Sequence, residues 1–361
     1  MARWVRSRVF VLILAVAVVG TGGIAVVAAR AGSPPNLPPV SAARLIASTV
    51  RALAARPSVS GMLVSHVDLG LPSLSDTEAA AAGLTGPAAL LGDVNGDHRI
   101  RFWSSKDGVK IAELLSTEEI SYTLGRSGAW LWSSEAFAAL HVPFPSGRNP
   151  LDQDPQKVLD LLNLNAVTER GLQAAGSTTT VSVQTPVRVA GRDAYALVLT
   201  PKTTDTLVGR IEVDIDAQHR LPLRAAVFAR GAGSPALSLG YRTVSFDSVD
   251  PSTFAFRPPT GARVTTARKP DGSYRGGTGS QVDTSASQVI GHGWSAVVAI
   301  KMWNGARIGK QAKGGGFDIR QFLPFSGPLF SARLEQRPEY SWVLFGAVPQ
   351  SRLIAVAGQL P

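Results

Sequence analysis

Apolar and polar residues alternate along this chain with two periods, and the change of period marks its elements. Leu207, Ile211, Val213 and Ile215 fall on one side of an extended segment, and Arg210, Glu212, Asp214 and Asp216 fall on the other. A period of two requires a strand with one dry and one wet face. Turn residues at Gly191-Arg192, Thr203–Asp205 and Ala217–His219 recur about ten residues apart, so residues 178–247 predict an antiparallel meander of at least five strands. Upstream, Ser58 to Leu69 reads as a strand. His98 to Leu115 reads as a hairpin turning at Lys106-Asp107-Gly108, and Glu119 to Ser134 as another turning at Gly125–Gly128.

The helical period appears at two places. Leu45, Ile46, Thr49, Val50, Leu53 and Ala54 predict a helix over residues 41–55, capped by Ser41 and stopped by Pro57. Val158, Leu161, Leu162 and Val167 predict a second over residues 155–170. Residues 73–91 are rich in Ala and Gly and fit a loop or a short helix. Residues 262–284 are polar, Gly-rich and basic, and read as a linker. A smaller unit follows over 285–361, with strands near 294–303 and 340–347 and a short helix after Pro349.

The N-terminus carries an address. Arg3, Arg6 and Arg8 precede an uncharged run from Val9 to Ala29. As a helix that run would be about 32 Å long, enough for a bilayer core, and the preceding charge keeps the N-terminus cytoplasmic. Gly20-Thr21-Gly22-Gly23 weakens its second half, so a secretory signal cleaved near Ala29 or Ala31 competes with a retained anchor over 1–31. Both readings place the body outside the cytoplasmic membrane. Residues 32–40 are Pro-rich and predict a stiff tether.

The 361 residues contain no cysteine, which excludes disulfides, zinc-thiolate and iron–sulfur sites and a thiol nucleophile. The net charge is +10, distributed as +4 over residues 1–30, −1 over 31–260 and +7 over 261–361. The body is therefore neutral, and nucleic acid is not the expected partner. Arg263, Arg268, Lys269, Arg275, Lys301, Arg307, Lys310 and Lys313 fit anionic headgroups, an acidic partner or a solvated face equally well.

Catalytic and metal signatures are weak. Asp93, Asn95 and Asp97 begin like a calcium loop, but His98 and Ser104 stand where Gly and Glu are needed, and a turn before a strand explains the run. Gly305 to Gln311 is one residue short of a phosphate loop and lacks its Ser or Thr. The five histidines lie apart in sequence without metal spacing. No enzyme, metal or cofactor is expected.

Three stretches carry a family resemblance: residues 59–74, 187–228 and 234–264. Gly191 and Tyr195, Asp216 followed by Pro222-Leu223, and Phe254, Phe256, Pro258, Pro259 and Gly261 are their specific features. With these the chain resembles bacterial LolA-type proteins, and more closely the Gram-positive branch related to the sigma-E regulator RseB. Residues 343–360 are similar, more weakly, to the tail of RseB-like C-terminal domains.

The resemblance implies an α+β fold: an incomplete antiparallel β-barrel over 41–261 with helices across its concave face, plus a small C-terminal α+β unit. It implies a lipid or lipoprotein acyl chain as ligand, with an anti-sigma factor or other membrane protein as the alternative partner. A buried acyl chain gains about 0.8 kcal/mol per methylene, so no catalytic group is needed. Trp130, Trp132, Leu207, Ile211, Val213, Ile215, Leu223 and Val227 are the expected lining residues on this basis. Trp130 and Trp132 fit ordinary sheet core equally well.

Overall fold

A computed structural model describes residues 33–71, 96–114, 118–144, 177–266, 287–303 and 323–360. The predicted helix over 155–170, the segment 73–91, residues 93–95, the loop 305–311 and residues 1–31 lie outside the described residues. Among the described residues, no helix is long and apolar enough to cross a membrane.

Most of the described chain is strand. β1 (Val59–Val67), β2 (Gly96–Ser105), β3 (Gly108–Leu114), β4 (Glu119–Gly125), β5 (Gly128–Ser133) and β6 (Ala138–Pro143) form one run of neighbours. β7 (Thr179–Val189), β8 (Arg192–Pro201), β9 (Val208–Asp216), β10 (Pro222–Ala229) and β11 (Pro235–Ser245) form the predicted meander. The two runs join where β1 pairs β11. With β12 (Arg263–Thr266) they make a single sheet of 12 described strands, in the order β12-β6-β5-β4-β3-β2-β1-β11-β10-β9-β8-β7. The end strands β12 and β7 do not pair with each other, so the sheet is open among the described residues.

β12 corrects the linker reading, which began at residue 262. Arg263 to Thr266 pair in parallel with Ala138 to His141 of β6, in a sheet otherwise antiparallel. The segment is polar because all four of its residues are exposed, and its β-branched Val264, Thr265 and Thr266 suit an edge strand. β6 was also not anticipated: Ala138 to Pro143 is too short and mixed to show a period.

The arm β7 to β11 is curled. β7 touches β11 although three strands separate them in the sheet. Val187 and Val189 of β7, Ala194 and Ala196 of β8 and Leu223 of β10 pack with Tyr241, Val244 and Phe246. The alanine side chains leave room for this close approach. The arm also carries the turn chemistry read from the sequence, since Ala190 and Gly191 both take positive φ between β7 and β8.

Helix α1 (Ala42–Ala54) begins as predicted, with the Ser41 hydroxyl accepting from the Arg44 N–H. Leu45 is fully buried against Tyr195, Leu197 and Ile215. The Pro-rich segment before it is not a free tether. Pro35 is buried, Leu37 and Val40 pack in the same cluster, and Tyr195 Oη donates to Pro38 O at 3.0 Å. Its apolar residues gain more from the sheet than from water.

The second sheet has the order β13-β14-β17-β16-β15, built from β13 (Ser287–Ile290), β14 (Val297–Trp303), β15 (Phe325–Ser326), β16 (Ser331–Gln336) and β17 (Tyr340–Gly346). Helix α2 (Gln350–Ala357) covers one face, with Leu353 and Val356 against Val297, Ala299, Trp342 and Leu344. This sheet docks on the large one. Trp294 and Leu329 share a buried cluster with Val208, Ile211 and Ala236, while Leu207 N and Thr206 Oγ1 both donate to Ala347 O, at 2.8 and 2.7 Å.

Candidate binding faces

Cross-strand pairing divides the large sheet into two faces. Residues directly opposite each other share a face, as do alternate residues along a strand. Val213 pairs through Ala225, Leu239 and Ser65 to His98. Ile100 and Phe102 lie two and four residues further along β2, on that same face. From Phe102 a row then crosses five strands: Phe102, Ile111, Tyr122, Leu131 and Leu140. A second row, Val109, Leu124, Ala129 and Val142, runs beside it. The five members of the first row are all half-buried, and none belongs to the buried clusters among the described residues. An apolar strip therefore crosses β2 to β6.

The expected lining residues do not share one surface. Ile211, Val213, Ile215 and Val227 lie on the face with the apolar row, but their own chain occupies them: α1 covers Ile215, and Trp294 and Leu329 pack around Ile211. Leu207 lies at the junction with the small sheet, bonded to Ala347 O. Leu223, only 1% exposed, belongs to the curled arm.

Trp130 and Trp132 are on the opposite face. Trp132 pairs through Ser121, Ala112 and Arg101 to Met62. Phe256 contacts both rings, at centroid distances of 5.4 and 6.0 Å, and Trp130 stacks on His141 at 4.0 Å. Just before it, the turn Pro251–Phe254 lies over Gly108 and Gly125, where a Cβ on Gly125 would come within 2.3 Å of Phe254 O. Phe254 and Phe256, two residues of the resemblance, are thus the cover of the tryptophan face.

Two polar groups interrupt the apolar face. His98 Nδ1 bonds Glu113 Oε1, and both side chains are nearly buried. Beside them the Tyr122 hydroxyl is pushed up to about 12 by burial and by the negative charge of Glu113. The face of β9 and β10 expected to be wet holds charges that pair with each other, Arg224 with Asp214 and Glu212 and Arg210 with Glu212, and Asp214 is buried among them.

Asp216, expected on that wet face, is instead wholly buried at the β9–β10 turn. Burial alone would raise its carboxyl. The hydrogen bond from Arg192 and the N–H groups of His219 and Gln218 reverse this and hold it below the usual aspartate value. Among the described residues, no group of three His, Asp or Glu side chains could hold a metal ion.

The row Phe102, Ile111, Tyr122, Leu131 and Leu140 escaped sequence reasoning. Each strand contributes one member, so no segment shows the row. The signal was present in the two hairpin turns, which fix Phe102 opposite Ile111 and Tyr122 opposite Leu131 once the register is counted.

No protein-family model matches the chain, and no curated protein matches it. Among solved structures it is similar to MucB of Pseudomonas aeruginosa in complex with MucA, at 13% identity and a TM-score of 0.44, over 88% of this chain and 97% of that one. It is also similar to an uncharacterized conserved protein from Thermus thermophilus, at 10% identity and a TM-score of 0.35, over 63% of this chain and 100% of that one. A third is a LolA superfamily protein from Nitrosomonas europaea, at 9% identity and a TM-score of 0.21, over 60% of this chain and 98% of that one.

Proposed function

We propose that this is a non-enzymatic binding protein of the outer side of the cytoplasmic membrane, holding a lipid or lipoprotein acyl chain against the apolar face of an open sheet. In this reading residues 41–261 form a half-barrel with helices across its concave side, of the LolA and RseB kind, and residues 285–361 form the companion unit. The observation that carries it is the row Phe102, Ile111, Tyr122, Leu131 and Leu140, half-buried and aligned across five strands. A linear apolar chain laid along such a row removes its methylenes from water, and burial at about 25 cal/mol per Å² is the driving force. The site needs only width and an apolar lining.

Native mass spectrometry and lipid extraction of the purified protein test this reading. A co-purifying lipid that a Leu131→Glu variant fails to retain is the expected result. A protein that neither co-purifies with lipid nor takes up a fluorescent fatty acid would sink it.

A second reading is a regulatory protein that binds an anti-sigma factor or another membrane protein. It is favoured by the face of the small sheet opposite α2, where Val289 and Phe345 are exposed beside Val298, Ile300 and Val343. Pull-down from membranes of the source cell, with Val289→Asp as the comparison, separates the two: loss of a protein partner with lipid content unchanged supports this one.

A further inference from the structure

We infer that helix α1 is a contact face for anionic lipid headgroups and fixes the orientation of the body on the membrane. The inference rests on the reading of Val9–Ala29 as a retained anchor, and three observations carry it beyond that reading.

The first is the length of chain between the apolar run and the docked body. Pro35 is already buried, and the Pro38 carbonyl is held by Tyr195. Only five residues lie between Ala29 and Pro35, a reach of at most about 22 Å. A body held this closely cannot turn freely. The surface beside the docking point must face the bilayer, and α1 starts seven residues after Pro35.

The second is charge. The chain contains no Asp or Glu before Asp68. On α1, Arg44 and Arg51 are exposed, and neither has an ion-pair partner among the described residues. Seven residues apart on a helix, they lie on one side, two turns from each other.

The third is that Arg44 works against its own helix. It sits in the first turn, where the helix dipole favours an acid. Its charge therefore does not serve helix stability, whereas an anionic surface would offset the conflict.

The chain has no cysteine, so a single introduced thiol labels one site. The experiment uses the full chain with Ala43→Cys, an exposed α1 position, carrying a fluorophore. The protein is reconstituted in phosphatidylcholine vesicles with or without phosphatidylglycerol, each containing a headgroup quencher. Stronger quenching with phosphatidylglycerol is expected, with the apparent association weakening about fivefold for each of Arg44→Gln and Arg51→Gln and reversing in high salt. Quenching that is equal in both lipids, absent, or unchanged in the double variant overturns the inference while leaving the anchor intact. Failure of the protein to float with vesicles after a carbonate wash removes the anchor, and this inference falls with it. Far-UV circular dichroism confirms that the exposed substitutions leave the fold in place.

Discussion

The indole N–H of Trp294 donates to Thr179 Oγ1 at 2.8 Å, bridging the small sheet to the edge strand of the large one. Both groups are buried, so the bond has no water to replace it. Trp294→Phe keeps most of the packing but removes this bond, leaving the Thr179 hydroxyl its longer contact to Thr178 Oγ1 at 3.4 Å, and costs about 1 kcal/mol. Trp294→Ala also empties the cluster around Val208 and Ile211 and costs about 3–5 kcal/mol. Chemical denaturation should show both losses in this order, and an unchanged midpoint for Trp294→Ala would refute the docking contact.

Leu131 and Trp132 are neighbours in the chain and lie on opposite faces of the sheet. Leu131→Glu should therefore abolish uptake of a fluorescent fatty acid, while Trp130→Phe, whose ring lies under Phe256, leaves uptake unchanged. The reverse result would move the ligand to the tryptophan face.

The buried carboxylate of Asp216 makes stability depend on acid. Its folded value lies below the ordinary aspartate value, so its contribution is complete above about pH 4 and is lost as pH falls through the folded value. Asp216→Asn removes the buried carboxylate that pairs Arg192 and should cost on the order of 3 kcal/mol at neutral pH. The variant should also show a shallower acid limb when unfolding free energy is followed against pH.

Tyr122 and Tyr241 act at the other end of the scale. Burial raises both hydroxyls, with Glu113 adding to the effect at Tyr122, which reaches about 12. A raised value means that the stability from the neutral form is complete below the unfolded value of about 10 and is lost as pH rises through the folded one. Ultraviolet titration should show two of the five tyrosines ionising late or only with unfolding. Five tyrosines titrating together near their ordinary value would contradict this burial.

Gly125 faces the backbone of Phe254, which a Cβ would approach to 2.3 Å. Gly125→Ala should push the Pro251–Phe254 turn off the sheet and cost about 1–3 kcal/mol. Tryptophan emission should shift as Phe256 moves with it, and unchanged emission and stability would show that the turn yields freely.

Local pattern carried much of this architecture. The Ser41-capped helix, the turn at Gly191, the hairpins at Asp107 and Gly125 and the strand over 208–216 are all legible, because each depends on residues within one turn or one pleat. β12 was not legible: a polar four-residue strand exists only because β6 offers an edge. The docked Pro35–Val40 segment was hidden for the same reason, since its composition is that of a spacer until Tyr195 and Leu197 are placed beneath it.

The candidate site divides along the same line. Alternation within β9 is intrinsic to the sequence, because a side chain's face follows from the pleat alone. Whether Ile211 or Ile215 meets a ligand or the protein's own chain is a matter of which distant segments arrive there, and α1 and the Trp294 cluster arrive first. The separation of Trp130 from the Phe102–Leu140 row was settled by register across five strands. Register is a property of pairs of strands, which no single stretch of sequence contains.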